Sequence, residues 1–227
     1  MKRVIFIFAF CLLSFCAFAQ TDVTTFLGIP VDGSAADMRE SLISKGFVPE
    51  KLGSSEVFKG EFNGTEVQIL IVTNNKKVWR LMISDVFHGD AQFVKARFNR
   101  LVDQFLNNPR YVGAADQKID EGVDIEYEHA VNNKRFEAGF YQKPDAEHID
   151  PFLANKVRTK MLEKYTNEQI ANPTDEVRAA MEEIAGQVGL EHMMQKTVWF
   201  CVTEFHGEYY ITMYYDNEYN HANGEDL

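Results

Sequence analysis

The clearest alternation of apolar and polar residues lies between Thr197 and Asp216, in two stretches separated by His206-Gly207. A two-residue loop ending in glycine is typical of a β-hairpin and fixes the register of its strands. Because side chains alternate between the faces of a strand, this register predicts an aliphatic face made of Val198, Phe200, Val202, Ile211, Met213 and Tyr215. The opposite face is predicted to be aromatic and half polar, and it carries Trp199, Cys201, Thr203, Tyr210, Thr212 and Tyr214.

A three-stranded meander is predicted earlier in the chain, over residues 56–62, 66–73 and 78–86. Asn63-Gly64 provides a strong hairpin signal for its first turn. After the second turn, an uninterrupted register places one apolar set on a common face: Leu70, Val72, Trp79, Leu81 and Ile83. Both faces of this sheet would then be partly apolar, which predicts covering elements on both sides.

A further hairpin is predicted over residues 123–131 and 134–142, with Asn132-Asn133 as its turn. Its inner face would hold His129 against Phe136. Its outer face would carry an acidic stripe of Asp124, Glu126 and Glu128. We expect this stripe to be a solvated surface, with a site for a cation or a basic partner as the alternative.

Four helices are predicted, over about residues 34–46, 90–106, 150–165 and 172–189. Ser34 can cap the first helix, and Gly46 can end it. The second helix has apolar residues at the three- and four-residue spacing of a core-facing helix; they are Phe93, Val94, Phe98, Leu101, Val102 and Phe105. Gly189 is predicted to end the last helix.

These elements predict an α+β fold: a largely antiparallel sheet of about seven strands, in hairpins and a meander, covered by about four helices. The near-continuous apolar run from Val198 to Val202 predicts a central strand. We expect one domain over residues 20–227, with two sub-domains divided near 110–122 as the alternative.

The N-terminal 19 residues have the composition of a secretory signal peptide that is cleaved. Lys2 and Arg3 give a basic start, an apolar run follows, and Ala17-Phe18-Ala19 supplies small residues for cleavage. A retained anchor is the alternative, but the run is shorter than the roughly 20 residues that span a bilayer. The sequence therefore predicts an exported protein, periplasmic or extracellular, with no membrane span in its mature chain.

A lipoprotein signal at Leu13-Ser14-Phe15-Cys16 is a second alternative. Phe15 stands where that signal needs a small residue, so simple cleavage is favoured. Cys11 and Cys16 would leave with the leader, and the mature chain would keep Cys201 alone and form no internal disulfide. In the middle of an apolar strand, Cys201 is expected to be an inert buried thiol.

The formal net charge is −11, and removal of Lys2 and Arg3 with the leader brings it to −13. Nucleic acids require a basic surface, so they are excluded as partners. Anionic lipid headgroups would also repel so acidic a chain.

The sequence contains none of the common catalytic or cofactor motifs. It has no glycine-rich phosphate loop, no Gly-x-Ser-x-Gly, no His-Glu-x-x-His and no Cys-x-x-Cys pair. The six histidines form no pair at helical or strand spacing, so no catalytic residue, cofactor or metal is predicted. Asp216, Glu218 and Asn220 are weak metal candidates because they alternate as at the start of a calcium loop. His221, however, occupies the place of the glycine that such a loop requires.

Trp199, Tyr210 and Tyr214 are the candidate binding residues. Tryptophan and tyrosine present large rigid surfaces that stack on rings and anchor partners. The alternative is that one of the helices covers these side chains.

The segment Gly33 to Phe47, GSAADMRESLISKGF, resembles the short helix that opens the outer-membrane-assembly lipoproteins and the beta-lactamase-inhibitor-like folds. In those proteins this helix leads into antiparallel strands. The whole mature chain, with FLGIPVDGS near its start and YYDNEYNHANGEDL at its end, is similar to uncharacterised exported proteins of Bacteroidetes-type bacteria. This resemblance implies an envelope location and supplies no catalytic residue.

The sequence thus predicts a non-catalytic binding or interaction module of the cell envelope, with an envelope protein or a glycan as its partner. Two alternatives stay open. A hydrolase-type enzyme would assemble its site from distant segments that include His129 or His206. A structural homo-oligomer would use the aromatic face as its interface.

Overall fold

The computed structural model describes residues 22–144 and 151–222. The predicted signal peptide, with Cys11 and Cys16, lies outside the described residues. Within them, no helix has both the length and the apolar character needed to cross a bilayer.

The chain divides into two compact units. In its described part, the larger unit comprises residues 23–144 and 190–222, and the smaller comprises Asp22 and residues 151–189. The alternative boundary between two sub-domains, expected near 110–122, lies inside the larger unit.

An antiparallel sheet of eight strands forms the larger unit, in the order β3-β4-β5-β6-β10-β9-β8-β7, and β1 and β2 form a separate two-stranded hairpin. The strand bounds are β1 Thr25–Phe26, β2 Ile29–Pro30, β3 Val48–Leu52, β4 Ser55–Phe62, β5 Thr65–Asn74, β6 Lys77–Asp85, β7 Tyr111–Gly113, β8 Glu137–Gln142, β9 Lys196–Phe205 and β10 Glu208–Asn217. The predicted α+β class with a mainly antiparallel sheet is confirmed, although the strands outnumber the seven expected.

The β9–β10 hairpin has the predicted register, with Val202 opposite Ile211 and Val198 opposite Tyr215. Its turn residues His206 and Gly207 both have positive φ, as a two-residue hairpin loop requires. β9 and β10 are interior strands of the sheet. The central position predicted for this hairpin is therefore confirmed.

Three helices of the larger unit bury side chains in one apolar cluster on the same face of the sheet, here called the helix face. They are α1 Ala35–Ser44, α2 Ala91–Asn107 and α3 Ile125–Asn132. Ser34 caps α1 in a capping box with Asp37, as the sequence indicates. The stripe of α2 is buried from Val94 to Phe105, but Phe93 is partly exposed and packs against Phe87.

The predicted register of β5 with β6 is wrong by one residue. A bulge between Val72 and Thr73 leaves Val72 opposite Arg80, and Leu81 lies opposite Ile71 on the helix face. An extra residue on one strand of a pair shifts every following side chain to the other face. Leu81 and Ile83 therefore lie in the core, and Arg80 lies on the opposite face.

The strand predicted over residues 123–131 is also wrong, because this segment contains helix α3. Asp124 accepts a hydrogen bond from the amide of Tyr127 and caps the helix, and Asn133 ends it in the left-handed conformation. Only Ile125 of this helix is buried. His129 accordingly lies on a helix, in its last turn, and not on a strand opposite Phe136.

The smaller unit consists of helical segments around its own apolar cluster of Met161, Val177, Ile184 and Val188. The helix bounds are α4 Pro151–Leu162, α5 Asn167–Ala171 and α6 Asp175–Met193, and the end of α6 from Leu190 belongs to the larger unit. The described chain therefore has six helices where four were expected, and α6 continues past the predicted stop at Gly189. This unit is inserted between β8 and β9, although those two strands pair with each other.

A buried ion pair ties α2 to the sheet. The guanidinium of Arg97 donates from Nε to Asp85 Oδ2 at 3.1 Å and from Nη2 to Oδ1 at 3.2 Å. A third donor, Nη1, reaches the carbonyl of Asn63 at 3.4 Å. Because both charged side chains are almost fully buried, each depends on the other for its solvation.

Candidate aromatic site

The face opposite the helix face is here called the aromatic face. Strand alternation and the registers of β6, β9 and β10 place on it Arg80, Met82, Ser84, Trp199, Cys201, Thr203, Tyr210, Thr212, Tyr214 and Asp216. Trp199 and Tyr214 are half-buried there, whereas the buried residues of α1, α2 and α3 pack into the cluster on the helix face. This surface is thus not covered by the helices of its own unit.

Trp199 and Tyr214 are cross-strand neighbours, and their rings stack with centroids 4.0 Å apart and planes at 15°. Tyr210 lies four residues away along β10, and its ring stacks on His88 at 4.3 Å and 10°. Two of the three candidate residues are therefore brought into contact, and Tyr210 belongs to a separate pair.

Asp216 fixes the orientation of the indole. Its Oδ2 accepts a hydrogen bond from Trp199 Nε1 at 2.9 Å. Arg80 binds the same carboxylate with two donors, Nε to Oδ1 and Nη2 to Oδ2, both at 2.6 Å. A paired, charge-assisted fork of this kind has a strict geometry. The carboxylate of Asp216 thus acts as an anchor for the ring system.

Arg80 also lies against three aromatic rings. Its guanidinium carbon is 4.2 Å from the ring centroid of Trp79, 4.7 Å from that of Tyr214 and 5.6 Å from that of Trp199. These distances are within the range of cation–π attraction. Arg80 therefore contacts all three rings and joins them in one aromatic cluster.

A surface depression of about 280 Å³ adjoins Trp199 on the β8 side. Its lining consists of Arg135, Glu137, Ala138, Gly139 and Trp199. Gly139 pairs directly with Trp199, and a Cβ built on this glycine would meet no atom within 4 Å. Since one face of the indole stacks on Tyr214, on the β10 side, its other face is turned toward the gap above Gly139.

The rim of the depression carries one charge of each sign. Arg135 Nη2 lies 3.6 Å from Glu137 Oε2, and both side chains are more than half exposed. An exposed pair of this kind contributes little to stability. These groups can therefore exchange partners at low cost.

Burial raises the pKa of several acids on the β9–β10 hairpin. It raises the pKa of the Cys201 thiol and of the phenols of Tyr210 and Tyr214, because the charged forms would lose water. Cys201 is buried, as predicted. A thiol that keeps its proton is a poor nucleophile, which agrees with the inert role expected for it.

The three weak metal candidates lie in different surroundings. The Asp216 carboxylate faces Arg80 and Trp199, Glu218 lies 3.1 Å from the ring of His221, and the Asn220 amide donates to Asp32 and to the carbonyl of Val78. Burial, and next the charge of Asp216, raise the pKa of Glu218. These contacts favour a structural role, and the cation site stays a prediction.

The described histidines are dispersed. His192 Nδ1 is 2.6 Å from the hydroxyl of Tyr219, His221 stacks on Trp79 and His206 lies in an exposed turn. His148 lies outside the described residues. Over residues 22–144 and 151–222, no group of three or more His, Cys, Asp or Glu could hold a metal ion.

Comparison with protein-family models, with curated proteins and with solved structures found no match to this chain. Any function must therefore be inferred from the side chains of this chain itself. Arg80 and Gly139 were missed at the sequence level. The face of Arg80 depends on the β6 bulge, whereas Gly139 could have been noticed as a glycine within a strand, which often marks close approach.

Proposed function

We propose that the protein is an exported, non-catalytic binding module whose ligand lies on the free face of Trp199. The observation that carries this proposal is the depression beside an indole that is already fixed in place by Tyr214 and Asp216. Rigid aromatic side chains lose little entropy on binding, and fixed surroundings reduce the remaining cost. An envelope location agrees with the leader, and a glycan or an envelope protein is the partner class.

A binding role is favoured over a hydrolase because the depression lacks the parts of a catalytic site. Hydrolysis needs a nucleophile or activated water next to a base of suitable pKa. Arg135 and Glu137 are exposed on its rim, and His129 and His206 are not among its lining residues.

The accessibility of Trp199 tests the proposal. The mature chain with Trp79→Phe would contain Trp199 as its one tryptophan, because the sequence has two. We expect acrylamide to quench this fluorescence readily. Gly139→Leu should protect it, because the new side chain would fill the gap against the indole. Gly122→Leu is the matched control: its Cβ also meets open space, and Gly122 does not line the depression.

Two results would count against the binding face. A well-protected Trp199 in a chain that light scattering finds dimeric would identify the aromatic face as an oligomer interface. A protected Trp199 in a monomer would leave the proposal without support.

A further inference from the structure

We propose that the ligand of the Trp199 depression is a neutral glycan, bound through one sugar ring stacked on the free face of the indole. This inference rests on the proposed binding function and adds the chemical class of the ligand. Its basis is the combination of a fixed aromatic plane, a gap beside that plane and a rim of paired opposite charges.

Stacking is the first element of this recognition. The face of an aromatic ring carries partial negative charge, and the C–H groups on one side of a pyranose form a flat, weakly positive surface. Trp199 offers such a face above Gly139, where an added Cβ would meet nothing within 4 Å. The hydrogen bond to Asp216 holds the plane of the indole before any ligand arrives.

The rim supplies the second element. Arg135 provides only hydrogen-bond donors and Glu137 only acceptors when ionised, and the closest charged atoms are 3.6 Å apart. Each hydroxyl of a sugar donates and accepts, so two neighbouring hydroxyls can satisfy such a pair together.

The paired charges of the rim disfavour ionic ligands. A carboxylate or phosphate placed on Arg135 would also meet Glu137, and a cation placed on Glu137 would meet Arg135. The mature chain carries a formal charge near −13 once Lys2 and Arg3 are removed from the total of −11. An anionic polymer would therefore be repelled over longer distances.

The size of the depression sets the expected strength of binding. Its volume of about 280 Å³ is just below the range of ligand sites, which span roughly 300–1,000 Å³. The site accommodates one ring, and an open contact with about a dozen heavy atoms gives dissociation constants on the order of millimolar. Binding to a polysaccharide, which presents many rings, should be easier to detect than binding to a monosaccharide.

The test is native affinity electrophoresis of the mature protein in gels containing amylopectin, mixed-linkage β-glucan, xylan or galactomannan, with heparin as the anionic comparison. We expect at least one neutral glycan to retard the protein and heparin to have no effect. Oligosaccharides from the retarding glycan should then change the fluorescence of Trp199 in the Trp79→Phe background.

Variants locate the binding. Gly139→Leu should weaken it at least tenfold, and Arg135→Ala and Glu137→Ala should each weaken it at least fivefold. Glu66→Gln should leave glycan binding unchanged. Glu66 pairs with Lys59 on β5 and β4, which are not neighbours of β8 or β9 in the sheet. Circular dichroism on every variant confirms that a loss of binding is not a loss of fold.

Three outcomes would overturn the glycan assignment. If no neutral glycan retards the protein although acrylamide quenches Trp199, the binding module stands and its ligand is not a glycan. A mobility change caused by heparin that Gly139→Leu abolishes would identify an anionic ligand. Glycan binding that survives Gly139→Leu would place the glycan site elsewhere.

Discussion

Replacing Asp216 with asparagine tests the anchor of the aromatic cluster. The carboxylate accepts from Arg80 Nε, from Arg80 Nη2 and from Trp199 Nε1. Asparagine has the same shape but must turn its NH₂ group toward at least one of these donors. It also removes the negative charge that compensates Arg80.

The size of the effect follows from burial. Removing one partner of a buried ion pair costs about 3–5 kcal/mol. The side chain of Asp216 is 2% exposed and that of Arg80 is 23% exposed, so the arginine can regain some water. We therefore expect the lower end of the range, about 3 kcal/mol.

Urea denaturation followed by tryptophan fluorescence measures this loss, because Trp79 and Trp199 both lie in the larger unit. With a slope of about 2 kcal/mol per molar urea, the midpoint should fall by about 1.5 M. Glu66→Gln is the matched control, because Glu66 is exposed and its partner Lys59 is partly exposed. Its loss should cost below about 1 kcal/mol. An equal, small effect for both variants would refute the anchoring role of Asp216.

Three further outcomes are expected. Asp85→Ala should cost about 3–5 kcal/mol in urea denaturation, because it leaves Arg97 charged and buried; a loss below 1 kcal/mol would contradict this. Gly186→Ala should stabilise α6 by about 0.5–1 kcal/mol, because alanine favours a helix and its Cβ meets open space. The measurement is amide exchange in the smaller unit, which should become slower. Faster exchange would contradict this. Burial raises the pKa of Cys201 and Tyr215, so at alkaline pH the folded chain holds more protons than the unfolded chain. Its stability should therefore fall as the pH rises past about 9. Equal urea midpoints at pH 8 and pH 11 would be inconsistent with this.

The sequence was most informative where one local signal determined the geometry. The His206-Gly207 turn sets the register of β9 and β10, and alternation then assigns every side chain of the hairpin to a face. The contact of Trp199 with Tyr214 follows from that register. Nothing in either strand, however, indicates which other elements lie beside these rings.

Two misassignments came from effects that alternation does not reveal. The bulge between Val72 and Thr73 shifts the register of β5 with β6, and this shift places Arg80 on the face where it reaches Asp216. Residues 123–131 show apolar alternation, but the cap at Asp124 and the left-handed Asn133 define a helix there. In a short segment with little burial, the capping residues determine the secondary structure more than the apolar pattern does.

The insertion of the smaller unit between β8 and β9 has a consequence for the order of folding. These strands are neighbours in the sheet, yet a connection of about 50 residues separates Gln142 from Lys196. Closing a flexible loop of that length costs about 2 kcal/mol more conformational entropy than closing a four-residue turn. Helices α4, α5 and α6 form through contacts near in sequence, which assemble quickly. If they form first, they shorten the effective loop, so that β8 and β9 can pair without waiting for a long chain to close.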